Sequence, residues 1–164
     1  MKHNIQAKVQ LVKLIDPNNT PVTQDFERWA NAALALAETK PKHINPILEV
    51  VISDTATSAH LNKTYRQKPG PTNVLSFPFD EIPYEHGYLL GELVLCAEVI
   101  INEAKNQHKT LISHYAHLTI HGILHLLGYD HINPNDADLM ESLEIEAMLR
   151  LGYDNPYKDR DTDD

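Results

Sequence analysis

The segment His121-Gly122-Ile123-Leu124-His125-Leu126-Leu127-Gly128-Tyr129-Asp130-His131 closes an apolar run of helical period that begins near Ser113. As a helix ending at Leu127, it puts His121 and His125 one turn apart on the same face. Gly128 then lets the chain leave through a left-handed residue, and His131 can fold back toward the last turn. Imidazoles at i and i+4 can reach one ion at about 2 Å. A third gives a three-histidine set whose fourth position stays open to water, as in catalytic rather than closed structural zinc sites. His114 and His117 share the face. At about 1.5 Å rise per residue, however, His117 lies about 12 Å from His125 along the axis, so both cannot bind one ion. The spacing therefore predicts His121, His125 and His131 as ligands, with His114 and His117 as cleft or structural residues.

Outward from this segment the pattern extends in both directions. A helix over about 135–151 is stopped by Gly152, and another covers about 97–107. Residues 5–11 alternate apolar and polar, and 47–53 are rich in β-branched side chains. Residues 73–77 form a third strand stopped by Pro78, and 89–95 a fourth. Asp16–Pro21 reads as a turn. Phe26, Trp29, Ala30, Ala33, Leu34 and Ala37 recur at helical spacing behind a Thr23 N-cap, which makes Trp29 a core residue. Asp54 caps a helix to about Arg66, ended by Lys68-Pro69-Gly70-Pro71. The order β-α-β-α-β-β-α-α-α implies an α+β fold, a small mixed four-stranded sheet covered by helices. The metal site falls on a helix in the C-terminal half and the turn after it.

The chain has 164 residues, enough for one domain with a sizeable core. There is no internal repeat, low-complexity stretch or linker, so a single domain over 1–157 with an acidic tail at 158–164 is expected. Cys96 is the only cysteine, which excludes an intrachain disulfide and an all-cysteine metal site. It follows an apolar strand and reads as a small buried residue. No apolar segment approaches the roughly 18 residues of a membrane span, and no signal-like apolar core follows Met1. The expectation is a soluble cytoplasmic protein without a membrane partner. The net charge of −9 is concentrated at the end, with eleven acids against three bases over residues 130–164. This argues against indiscriminate polyanion binding, which needs Lys and Arg to neutralise phosphates, but leaves room for a local basic groove. The dense basic run is Lys63-Thr64-Tyr65-Arg66-Gln67-Lys68.

The histidine spacing is also that of a large class of zinc peptidases, in which Glu follows the first His as general base. Here that position is Gly122, which argues against peptide hydrolysis by that route. A metal lowers the pKa of a bound water to about 7 and needs no adjacent carboxylate to do so. A phosphodiester substrate also requires a cation for its oxygens, and the planar fork of Arg66 suits this. Asp130 either orients a ligand or forms the turn. The general base stays open among Asp130, His114, His117 and solvent. Lys63 and Lys68 are candidate contacts to an RNA backbone, with His117 a further candidate beside the substrate. His60 and His86 have no partner spacing.

Four stretches together resemble the YbeY family of bacterial metal-dependent endoribonucleases. HGILHLLGYDH (121–131) resembles its signature. LNKTYR (61–66) is similar to the LNxxYR helix end, PTNVLSFP (71–78) to the TNVLSFP strand, and LGELVL (90–95) to the LGDI-type strand, with Glu92 where Asp is commoner. Met140-Glu141 and Glu144 also follow the family's C-terminal helix. The resemblance covers about 47–157. It implies one Zn2+ held by His121, His125 and His131, and an active-site arginine at Arg66. It further implies cleavage of single-stranded RNA, not DNA, in 16S rRNA 3′-end maturation and ribosome quality control. The implied partners are 16S rRNA, a small-subunit ribosomal protein and an assembly GTPase. The alternative is a zinc-stabilised ribosome-assembly factor that binds RNA or ribosomal proteins without cutting.

Overall fold

Alternation and β-branching in the sequence become strands, and the 3.6-residue stripes become the helices that cover them. The computed structural model describes residues 4–11, 19–130 and 132–158. In chain order the elements are β1 (Gln6–Leu11), α1 (Thr23–Leu36), β2 (Pro46–Ser53), α2 (Thr55–Arg66), β3 (Val74–Tyr84), β4 (Gly87–Cys96), α3 (Ala97–Asn106), α4 (Leu111–Leu126) and α5 (Pro134–Arg150). The strands form one sheet in the order β1-β2-β4-β3. β1 and β4 both run parallel to β2, whereas β3 returns antiparallel to β4. This is the expected α+β architecture. The acidic residues 159–164, like Asp16, Pro17 and Asn18 of the predicted turn, lie outside the described residues.

Helix α4 is the centre of the molecule. It packs against α1, α3 and α5 and against β3 and β4, and its residues 114–120 are all buried. An element apolar on every side belongs in the interior, so polar groups on it must find partners there. Its floor is the sheet: Leu48, Val50, Ile52, Leu93 and Leu95 are buried completely or almost so. α1 seals the other side with Phe26 and Trp29, whose rings meet edge to face at 5.4 Å, and Phe26 meets Tyr115 of α4 at 6.4 Å. Trp29 is a core residue, as its place in the stripe implies. Each such side chain contributes roughly 1.5–3 kcal/mol on burial. Cys96 is buried at the end of β4.

Helix ends follow their local chemistry. Asp54, Thr110 and Asn133 each accept a hydrogen bond from a backbone N–H in the first turn of α2, α4 and α5. Beyond α4, Gly128 takes φ +103°. Its N–H donates to the carbonyl of His125, and the N–H of Tyr129 to that of Leu124, a Schellman closure. α5 ends the same way at Gly152.

Two expectations are corrected. Thr23 is the first helical residue and not the cap. Val22 occupies that position and donates its N–H to Asp25 Oδ2 at 3.0 Å, the return bond of a capping box, with no cap hydroxyl to accept from the first-turn amides. β3 does not stop at Pro78 but runs on to Tyr84, with an irregularity between Pro78 and Ile82. The strand is at the edge of the sheet, where a residue without an N–H can leave one side of the ladder unpaired.

Candidate active site

α4 delivers His121 and His125 to the mouth of a cleft of about 710 Å³, and the end of α2 delivers Arg66 to the same cleft. Its far wall is the 72–78 segment, from Thr72 through Pro78, and Asp130 also lines it. The approach of α4 to that wall depends on Gly122. A Cβ there would stand 2.6 Å from Leu93 Cδ2 and 3.1 Å from Ser76 Oγ. The position that carries glutamate in zinc peptidases is here filled by the sheet.

The imidazoles are held from behind. His125 Nδ1 lies 3.0 Å from the Tyr129 carbonyl oxygen, and His121 Nδ1 lies 3.0 Å from Glu144 Oε2. A carbonyl and a carboxylate only accept, so each Nδ1 carries a proton and Nε2 is the ring atom left to act as a ligand. Those Nε2 atoms face each other at 3.1 Å. Two ligands at about 2.05 Å from a tetrahedral zinc would stand about 3.3 Å apart. The donor type, the tautomers and the separation fit a divalent ion. Among the described residues no group of three His, Cys, Asp or Glu side chains is arranged to hold a metal. His131, the third ligand expected from the spacing, lies outside the described residues.

Glu144 is the residue that organises this end of α4. It comes from α5 and is 1% exposed. Its Oε1 accepts from His117 Nε2 and from the Tyr157 hydroxyl, both at 2.5 Å, which leaves Oε2 for His121. Burial would push the Glu144 carboxyl up. Hydrogen bonds donated by His117 and His121 outweigh it and hold the carboxyl at about 2. Burial lowers His117, against the pull of Glu144, so its ring serves as a neutral N–H donor.

The remaining predicted residues divide. His117 is buried behind the cleft wall, engaged by Glu144, and does not line the cleft. His114 is buried too. Its Nε2 lies 2.8 Å from Glu103 Oε1, and Glu103 in turn accepts from Asn73 Nδ2 at 3.0 Å, pinning a cleft-wall residue to α3. Burial raises Glu103, but bonds from His114 and Asn73 bring it below its ordinary value. Lys63 and Lys68 are exposed around the end of α2 and are not part of the cleft lining. Arg66 is also exposed, and among the described residues no carboxylate pairs with it. Sequence spacing pointed to no role for Tyr157 or Glu103, and Glu144 entered only through the resemblance. A signal for Glu144 was present: it is the lone acid in the buried stripe Met140, Glu144, Ala147, Met148.

A family model described as Endoribonuclease YbeY matches residues 14–152. Among solved structures, the chain is similar in fold to the solution structure of TM1509 from Thermotoga maritima. The two are 22% identical, with a TM-score of 0.53, and the match covers 98% of this chain and 99% of that one.

Proposed function

Because the chain belongs to the YbeY endoribonuclease family, we propose that it is a zinc-dependent enzyme cutting single-stranded RNA in 16S rRNA 3′-end maturation and ribosome quality control. The observation that carries this reading is the meeting, in one cleft, of a preorganised Nε2 pair and the guanidinium of Arg66.

His121, His125 and His131 hold the ion in this reading. When bound, it supplies Lewis acidity at the scissile phosphate and activates water for attack. The Nδ1–H bonds to Glu144 and Tyr129 keep both described rings in the ligating tautomer and aimed at the cleft. Arg66 grips the phosphate through two parallel N–H bonds and offsets charge that builds on its oxygens. In this reading Asp130, which shares the lining, takes the proton from the attacking group. Lys63 and Lys68 flank Arg66 and meet the RNA backbone beyond the cleft. A small-subunit ribosomal protein and an assembly GTPase are the proposed partners, in the cytoplasm. Among the described residues no helix is long and apolar enough to cross a membrane.

The test is cleavage of single-stranded RNA by highly purified protein, compared with Arg66→Ala and His125→Ala. Loss of a transition-state donor costs roughly 10²–10³-fold in rate, and both variants should fall by at least that much. Equal trace activity in all three would assign the cutting to a contaminant and leave the non-cutting assembly factor as the better reading.

A further inference from the structure

Tyr65 stands out among the large aromatic residues of the molecule. Phe26, Trp29 and Tyr115 are at most 1% exposed, whereas Tyr65 is 62% exposed on the last turn of α2. It lines the cleft beside Arg66. Its ring is not loose, because Phe77 of β3, also in the lining, holds it edge to face at 5.3 Å and 74°. Phe79, two residues further along β3, is 39% exposed. Leaving apolar ring surface in water forgoes burial energy. The exposed surface is continuous with the cleft that carries Arg66.

We propose that Tyr65 is a stacking platform for one unpaired nucleobase of the RNA, with Phe77 fixing its ring and Arg66 taking a neighbouring phosphate. The inference rests on the reading of the cleft as an RNA site and adds to it the group that selects single strands. A duplex keeps its bases stacked on each other and offers no free face, whereas a single strand can splay a base onto an aromatic ring. The contact uses the π-face common to all bases, so it favours unpaired RNA with little sequence preference.

The experiment measures binding of the zinc-loaded full-length protein, with probe integrity checked on a gel after each measurement, to three probes. These are a short oligouridylate, the same backbone made abasic, and an RNA duplex. Tyr65→Ala should weaken oligouridylate binding about 5- to 150-fold, the range for loss of one base–aromatic stack. It should leave the abasic and duplex probes nearly unchanged. Tyr65→Phe and Tyr65→Trp should bind like wild type, and the new tryptophan's emission should be quenched by oligouridylate alone. The proposal is overturned if Tyr65→Ala binds oligouridylate like wild type. It is overturned equally if Tyr65→Phe is as weak as Tyr65→Ala, or if all three probes weaken together. Failure of wild type to bind any RNA would remove the RNA-site reading itself. Wild-type binding indifferent to position 65 would remove only the platform. Loss of the edge-to-face contact with Phe77 should lower the thermal midpoint of Tyr65→Ala only slightly, and retained abasic and duplex binding shows that the fold is intact.

Discussion

Glu144 Oε2 stands 3.0 Å from His121 Nδ1, joining α5 to α4 across 23 residues of sequence. Because the other carboxylate oxygen is already taken by His117 and Tyr157, the carboxylate cannot rotate without breaking two further bonds. The ring it holds is therefore fixed in direction and tautomer.

Glu144→Ala should damage both the fold and the site. It strands the donors of His117 and Tyr157, at about 1–3 kcal/mol for each buried group left without a partner, readable by urea unfolding. Glu144→Gln keeps the shape and most of the bonding. It should lower zinc affinity roughly 10- to 100-fold, the usual cost of losing a group that orients a metal ligand. Competition against a chromogenic chelator measures this, and unchanged affinity in the glutamine variant would rule out an orienting role.

Gly122→Ala should destabilise the protein although alanine is the better helix former. The added methyl overlaps Leu93, which is 0% exposed and sits between sheet and helix. Overpacking costs roughly 1–3 kcal/mol, against a propensity gain of about 1 kcal/mol. A rise in melting temperature would show that the helix and sheet part without cost.

At Gly128 an added methyl would meet nothing within 4 Å, but φ is +103°. The cost of Gly128→Ala is therefore one of backbone alone, about 1–2 kcal/mol. Gly128→Asn should recover part of it, because asparagine tolerates this conformation. The next residue supplies the carbonyl that fixes His125, so the alanine variant should also bind zinc more weakly. Equal stability of all three proteins would contradict this.

Glu103 titrates below its ordinary value of 4.5 in the folded chain. A depressed carboxyl contributes stability that is present above the unfolded value and is lost as pH falls through the folded one. Wild type should therefore exceed Glu103→Gln in urea midpoint near neutrality. The gap should close below about pH 4.5. A gap that stays constant between about pH 3 and 7 would mean that packing, not charge, is at stake.

The strands and helices were legible because their periods are strong, and so was the pair His121 and His125, because i and i+4 on one helix is local geometry. What spacing could not reach were groups brought in by packing between elements. Glu144 and Tyr157 meet His117 from 27 and 40 residues away, and no periodicity within α4 reports where α5 will lie. Gly122 illustrates the other limit. Its lack of a side chain was readable as a missing base, whereas its contact with Leu93 and Ser76 exists only once β3 and β4 are paired beneath it. β3 itself was underestimated because Pro78 stops a central strand but not an outer one.

That outer strand carries a second proline, Pro83, also within the pairing with β4. Two positions on one rim thus have no amide hydrogen to offer another molecule's backbone, which blunts the rim as a template for adding further strands. Crowded or freshly made copies should resist zipping together along this border.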